Sequence, residues 1–307
     1  MKKVARLVFT IGLLMILTGV ILIRKDSIIT LFNTHFSSNN AKVSITDVNE
    51  YYRNYDFKFV QNISNKVPSN YQDLLNVYYT VINSGVDEFT FYCPRNEYEN
   101  CIDDVENIAN NQTLLSNINN YVHPYNSFSH IETEFDNLGK VTISIERHYS
   151  KSDIEKINKK IDEIYKEIYN DNISVQDNIK AFHDYIVENT KYDSDRSDKN
   201  IVKYRSDTAY GPLFEGYAIC GGYTDLMELF FEKMGLKSYR VSSYLHIWNV
   251  VKIKDKWYHI DLTWDDPVTN TGKDEIIHSF FLVDYNKILK DGNSDHLFNM
   301  ERYKEAY

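Results

Sequence analysis

The stretch GYAICGGYTDLMELFFEKMG, residues 216–235, sets one of only three cysteines in front of two glycines and an apolar run. Leu226, Leu229, Phe230 and, a turn on, Met234 predict a helix that begins near Cys220 and ends at Gly235. Gly221 and Gly222 permit tight backbone at its start. Cys220 then stands at a helix N-terminus, where unpaired N–H groups and the macrodipole favour a thiolate. An ordinary thiol of pKa ~8.5 is only about 3% ionised at pH 7. Moving it to ~5 takes roughly 5 kcal/mol, more than a helix end supplies. A reactive cysteine here needs a cationic neighbour.

Downstream the chain reads SYRVSSYLHIWNVVKIKDKWYHIDLTWDDP, residues 238–267. Two alternating strands flank Lys254–Asp255. A two-residue turn there sets Ile253 opposite Lys256 and Trp248 opposite Asp261. His246 shares that face, one diagonal step from Asp261, at ~7 Å between backbones. Val251, Ile253, Tyr258, Ile260 and Leu262 make the other, core face. A three-residue loop would move Asp261 off the histidine's face. The chain thus carries a helix-start cysteine, a histidine and an aspartate able to orient it, the nucleophile, base and orienter of acyl transfer.

The residues around these three resemble the transglutaminase-like superfamily: GYAICGGY, then HIWNVV, then KWYHIDLTWDDP, with FHDYIVENTKYD upstream. The resemblance covers roughly residues 150 to 285. It implies an α+β, papain-related fold in which the cysteine helix packs on an antiparallel sheet. By position it implies Cys220 as nucleophile, His246 as base and Asp261 as orienter, and it calls for no cofactor. The oxyanion donors expected are the backbone N–H of Cys220 and the phenol of Tyr210. Trp248 and Tyr223 are expected in the pocket wall, with Trp257 and Trp264 as packing or wall. His183 and Asp184, in FHDYIVENTKYD, read as structural. A metal held by His246, His259 and Asp261 is the competing arrangement; it lacks a His-x-x-x-His spacing and leaves Cys220 unexplained.

At 307 residues the chain can bury one or two sizeable cores, and 43% hydrophobic with 25% charged residues reads as globular. A net charge of −10 argues against nucleic acid. The N-terminus MKKVARLVFTIGLLMILTGVILIRKDS has no charge from Leu7 to Ile23, near the lower limit for spanning a ~30 Å hydrocarbon layer. Lys2, Lys3 and Arg6 before it favour the N-terminus inside and the remainder outside, and no small-residue cleavage site closes the run. A single-pass signal-anchor over residues 1–26 follows, the alternative being a cleaved signal. Outside the cytoplasm Cys93 and Cys101, eight apart, can pair, worth about 2.5 kcal/mol in the chain-entropy model, which leaves Cys220 as the odd thiol.

Residues 27–40 read as a linker, and 41–150 as an α+β domain of unknown role. In it KVSI, FKFV and DEFTFYC suggest strands, NYQDLLNVYYTVIN and IDDVENIANNQTLLSNINNYV helices, and SHIETEF with KVTISIERHY a hairpin about DNLG. Residues 151–307 are expected to form the transglutaminase-like domain. It opens with a helix capped by Ser152 and Glu155 that carries Ile154, Ile157, Ile161, Ile164 and Ile168 on one stripe. A second helix starts near Ser174. Lys191 to Tyr210 then reads as a long solvated loop, whose Asp193, Asp195 and Asp198 lack the glycine and closing glutamate of an EF-hand. The expected activity is cysteine-dependent acyl transfer or amide hydrolysis on a protein or peptide at a bacterial cell surface. A peptidase of the same fold and a non-catalytic surface binding module are the alternatives.

Overall fold

The structure, a computed structural model, describes residues 2–25, 27, 42–94, 97–136, 138–267 and 276–307. All of the expected linker except residue 27 lies outside them. Helix α1 (Lys2–Ile23) covers the apolar N-terminal segment, and among the described residues no helix is long and apolar enough to cross a membrane.

Helix α2 (Tyr71–Ser84) starts where the Asn70 side chain accepts the N–H of Asp73, and stops at Gly85, whose φ of 80° suits glycine. KVSI and FKFV are not strands. Val43 makes a single bridge to Lys66, and residues 57–60 turn back on themselves, with Phe57 N bonded to Val60 O at 3.0 Å. DEFTFYC forms β1 (Glu88–Tyr92). The following helical stretch divides into α3 (Cys101–Ala109) and α4 (Gln112–Asn119), because Asn111 leaves the first helix and caps the second through Leu114 N. Strands β2 (Phe128–Phe135) and β3 (Lys140–Arg147) make the hairpin, and the antiparallel order is β1–β3–β2. Cys93 and Cys101 are disulfide-bonded, which ties the end of β1 to the start of α3.

Helix α5 (Lys151–Ile168) is capped by Ser150 with Asp153, two residues earlier than the Ser152–Glu155 pair. Ser150 keeps the extended backbone a cap needs, whereas Ser152 is already helical. Helix α6 (Val175–Asn189) starts from Ser174 as expected. The long loop is structured. It holds β4 (Lys191–Tyr192) and α7 (Ser194–Lys199), and β4 runs parallel to β5 (Tyr217–Ala218). Its aspartates are not alike. Asp193 is buried, caps α7 and accepts the Ser206 hydroxyl at 2.7 Å, while Asp195 pairs with Lys199 and Lys203.

Helix α8 (Cys220–Lys233) packs on the antiparallel sheet β6 (Ser238–Ser242), β7 (Ile247–Ile253), β8 (Lys256–Ile260). The register is that of a two-residue turn, with Ile253 opposite Lys256 and Asn249 opposite Ile260. A short α9 (Leu262–Asp265) follows, and later α10 (Tyr285–Asp291). Val251, Ile253, Ile260 and Leu262 join Leu226 and Phe230 of α8 in one core. The opposite sheet face, Tyr239, Val241, Trp248 and Val250, belongs to the core built by residues 43–145. The boundary at 150 therefore falls between elements but not between cores. Arg53 fastens the two parts: its buried guanidinium meets Glu228 and Glu232 of α8 at 2.5 Å each and donates to Tyr121 O at 2.9 Å.

Candidate active site

Cys220 is the first residue of α8, a half-buried free thiol. The glycines after it are set by close approach. A Cβ on Gly222 would lie 2.4 Å from Ser206 O, and one on Gly221 2.9 Å from Asp207 O. The loop that crowds them is held by Ile219 N bonding Ser206 O at 2.8 Å. Fixing that loop fixes the turn that presents the sulfur. Tyr192, which the sequence did not single out, lies near enough to feel Cys220. Burial raises its phenol, the Ser197 hydroxyl 3.0 Å away opposes this, and the charge of Cys220 adds to the rise.

His246 sits just before β7, and its Nε2 meets Asp261 Oδ2 at 2.5 Å. That leaves Nδ1 free of Asp261, and Cys220, which lines the same cleft, lies near enough to favour the charged ring. Burial disfavours a charged imidazole here, but the carboxylate of Asp261 and then Cys220 outweigh it, and the ring is pushed up to about 10. Asp261 is the buried cap of α9. Its Oδ1 accepts the N–H groups of Thr263 and Trp264 at 3.0 and 3.3 Å. Burial would raise its carboxyl, yet His246 and His296 hold it well below the carboxylate range. His296, also missed in the sequence, places Nε2 2.8 Å from the same Oδ2.

The sulfur and the ring open onto a cleft of about 500 Å³. One wall is Ser242 to Ile247, and the other is Gln112, Thr113, Ser116 and Asn117 of α4. The region of unknown role thus supplies one wall of the cleft. Trp248 and Tyr223 are not wall residues. Trp248 is buried behind His246, rings 5.7 Å apart and nearly parallel, and Tyr223 is buried with its hydroxyl on Asp266. Tyr210 does not line the cleft either. The guanidinium of Arg205 lies 4.2 Å above its ring and Phe214 packs beside it. The N–H of Cys220 keeps the helix-start position that an oxyanion donor requires.

The competing metal set does not assemble. His259 accepts Trp248 Nε1–H at 2.9 Å through Nδ1 and donates from Nε2 to Ala306 O at 2.7 Å, and burial pushes it down to about 4. Both nitrogens of His183 are likewise taken, by Asp184 at 2.9 Å and Asp265 at 3.2 Å, which ties α6 to α9.

No protein-family model and no curated protein matches this chain. Among solved structures it is similar to a transglutaminase, 18% identical, with 45% of each chain covered and a TM-score of 0.31. It is also similar to a proposed cysteine protease from Cytophaga hutchinsonii, 14% identical, with 44% of this chain and 61% of that one covered and a TM-score of 0.29. The chain spans less than two thirds of the length of either.

Proposed function

We propose, from the geometry around Cys220, that this chain is a cysteine-dependent enzyme of the transglutaminase-like kind acting on protein or peptide amides. The observation that carries this is His246 on the Asp261 carboxylate, 2.5 Å away, with the Cys220 thiol beside it at the edge of one open cleft. With the thiol proton already resting on Nδ1 of the charged ring, the thiolate attacks the amide carbonyl. As the C–N bond breaks, the imidazolium returns that proton to the leaving amine, and a thioester remains. An amine or a water, deprotonated by His246, then takes the acyl group and frees the thiolate. Ammonia leaves from a glutamine side chain, and a peptide amine from a main-chain amide.

The test is intact-mass analysis of the full chain with a glutamine-donor peptide and a primary amine. Peptide mass rising by the amine less ammonia marks transfer, a rise of about one unit deamidation, and shorter fragments proteolysis. Products of equal amount from Cys220→Ser overturn the enzyme and leave the surface binding module. We propose further that the N-terminal segment, residues 1–26, holds the chain at a bacterial membrane with the cleft outside. Supporting it are the uncharged run Leu7–Ile23, the preceding basic residues and a disulfide suited to an oxidising compartment. Protease shaving of intact cells that spares residues 42–307 would overturn this placement.

A further inference from the structure

His296 lies beyond every motif of the sequence, yet it is fully buried against the orienting carboxylate. Its Nδ1 faces Gly292 O at 2.9 Å and its Nε2 faces Asp261 Oδ2 at 2.8 Å. A carbonyl oxygen only accepts, and so does an ionised carboxylate, so each contact needs a hydrogen on the ring nitrogen. Two such hydrogens make the ring an imidazolium. His259 shows the contrast, since one of its nitrogens faces a donor and its ring is neutral. The surroundings of His296 suit a cation. Phe280 stacks on it at 5.1 Å and 6°, and Trp248 and Trp264 meet it at 4.8 and 4.9 Å.

We propose that His296 is a positioning residue of the reaction: a buried imidazolium that clamps the oxygen Asp261 shares with His246, and so sets both where that oxygen points and how tightly it holds the His246 proton. The inference rests on the thiol–imidazole reading above. With His296 charged, it cancels Asp261, and Cys220 and His246 can exchange a proton without leaving net charge in a buried site. Without that cation one negative charge is left uncompensated, which raises the proton affinity of every acid nearby. The titratable groups that face the cluster are Cys220, His246, His259, Asp261 and, beyond Asp261, Asp265.

The experiment is the pH profile of Cys220 alkylation by iodoacetamide in the full chain, wild type against His296→Gln. Glutamine can keep a hydrogen bond to Asp261 but not the charge. The midpoint of the profile is expected to rise by about one pH unit. A purely structural role would scale the rate and leave the midpoint in place, and that result overturns the proposal. A wild-type thiol no faster than free cysteine at pH 6 would instead sink the enzyme reading itself. Should His296→Gln fail to fold, nitrogen NMR of the wild-type ring at pH 8 decides. Two ring hydrogens support the imidazolium, and one overturns it.

Discussion

His246 and Asp261 are charged because they are charged together. Burial alone would neutralise each, and the 2.5 Å contact reverses that for both. Asp261→Asn removes the charge while keeping most of the shape. Amide turnover, measured as kcat/KM, is expected to fall by roughly two to four orders of magnitude. The pair also links stability to pH. The folded protein holds the His246 proton more tightly than the unfolded chain. That contribution is full below the ordinary value near 6.5 and is lost as pH climbs through about 10. Asp261 runs the other way: its contribution is full above ~3.9 and is lost as acid titrates it below that. Urea midpoints recorded from pH 3 to 10.5 should therefore be highest between about 4.5 and 6.5 for these two groups. In Asp261→Asn the decline above pH 6.5 should flatten. An unchanged alkaline slope in that variant would contradict the ion pair.

At the scale of elements, the site depends on how one helix begins and how one hairpin is registered. Gly222 has no room for a methyl, because the nearest atom, Ser206 O at 2.4 Å, is backbone. Gly222→Ala is expected to cost about 1–3 kcal/mol in urea unfolding and to slow Cys220 alkylation through a displaced turn. The cleft rim between β6 and β7 tests recognition separately. Tyr244 and Leu245 line the cleft yet are 94% and 81% exposed, large apolar groups with no packing role in the fold. Tyr244→Ser with Leu245→Ser should raise KM for a peptide several-fold while iodoacetamide reacts with Cys220 as before. The β7–β8 register was legible in the sequence because alternation and a two-residue turn permit one pairing, and Lys254 takes the positive φ of 55° such turns need. The cap of α5 was misplaced by two residues because Ser150 and Ser152 both precede an acidic residue by three; the choice between them is made by backbone geometry.

For the whole molecule, what sequence reasoning missed was placed by contacts distant along the chain. His296 reaches Asp261 across 35 positions and Arg53 reaches Glu228 across 175, and neither lies in a local pattern. The same distance hides how the regions before and after residue 150 meet. Periodicity showed strands and helices before residue 150, but not that they cover the second face of the β6–β8 sheet. Tyr239, Val241, Trp248 and Val250 are each 1% exposed or less in that shared core. At roughly 1.5–3 kcal/mol apiece, uncovering them would forfeit about 6–12 kcal/mol, comparable to the entire stability of a typical domain. Removing Arg53 would also leave Glu228 buried without its main partner, a further loss of about 3–5 kcal/mol. A fragment of residues 151–307 keeps Cys220, His246, Asp261 and His296, yet it should neither unfold cooperatively nor show accelerated alkylation. Supplying residues 42–150 as a separate chain should restore both. If the fragment alone melts in one sharp transition with the full chain's thiol reactivity, the two parts fold independently and the shared core is not what holds the site together.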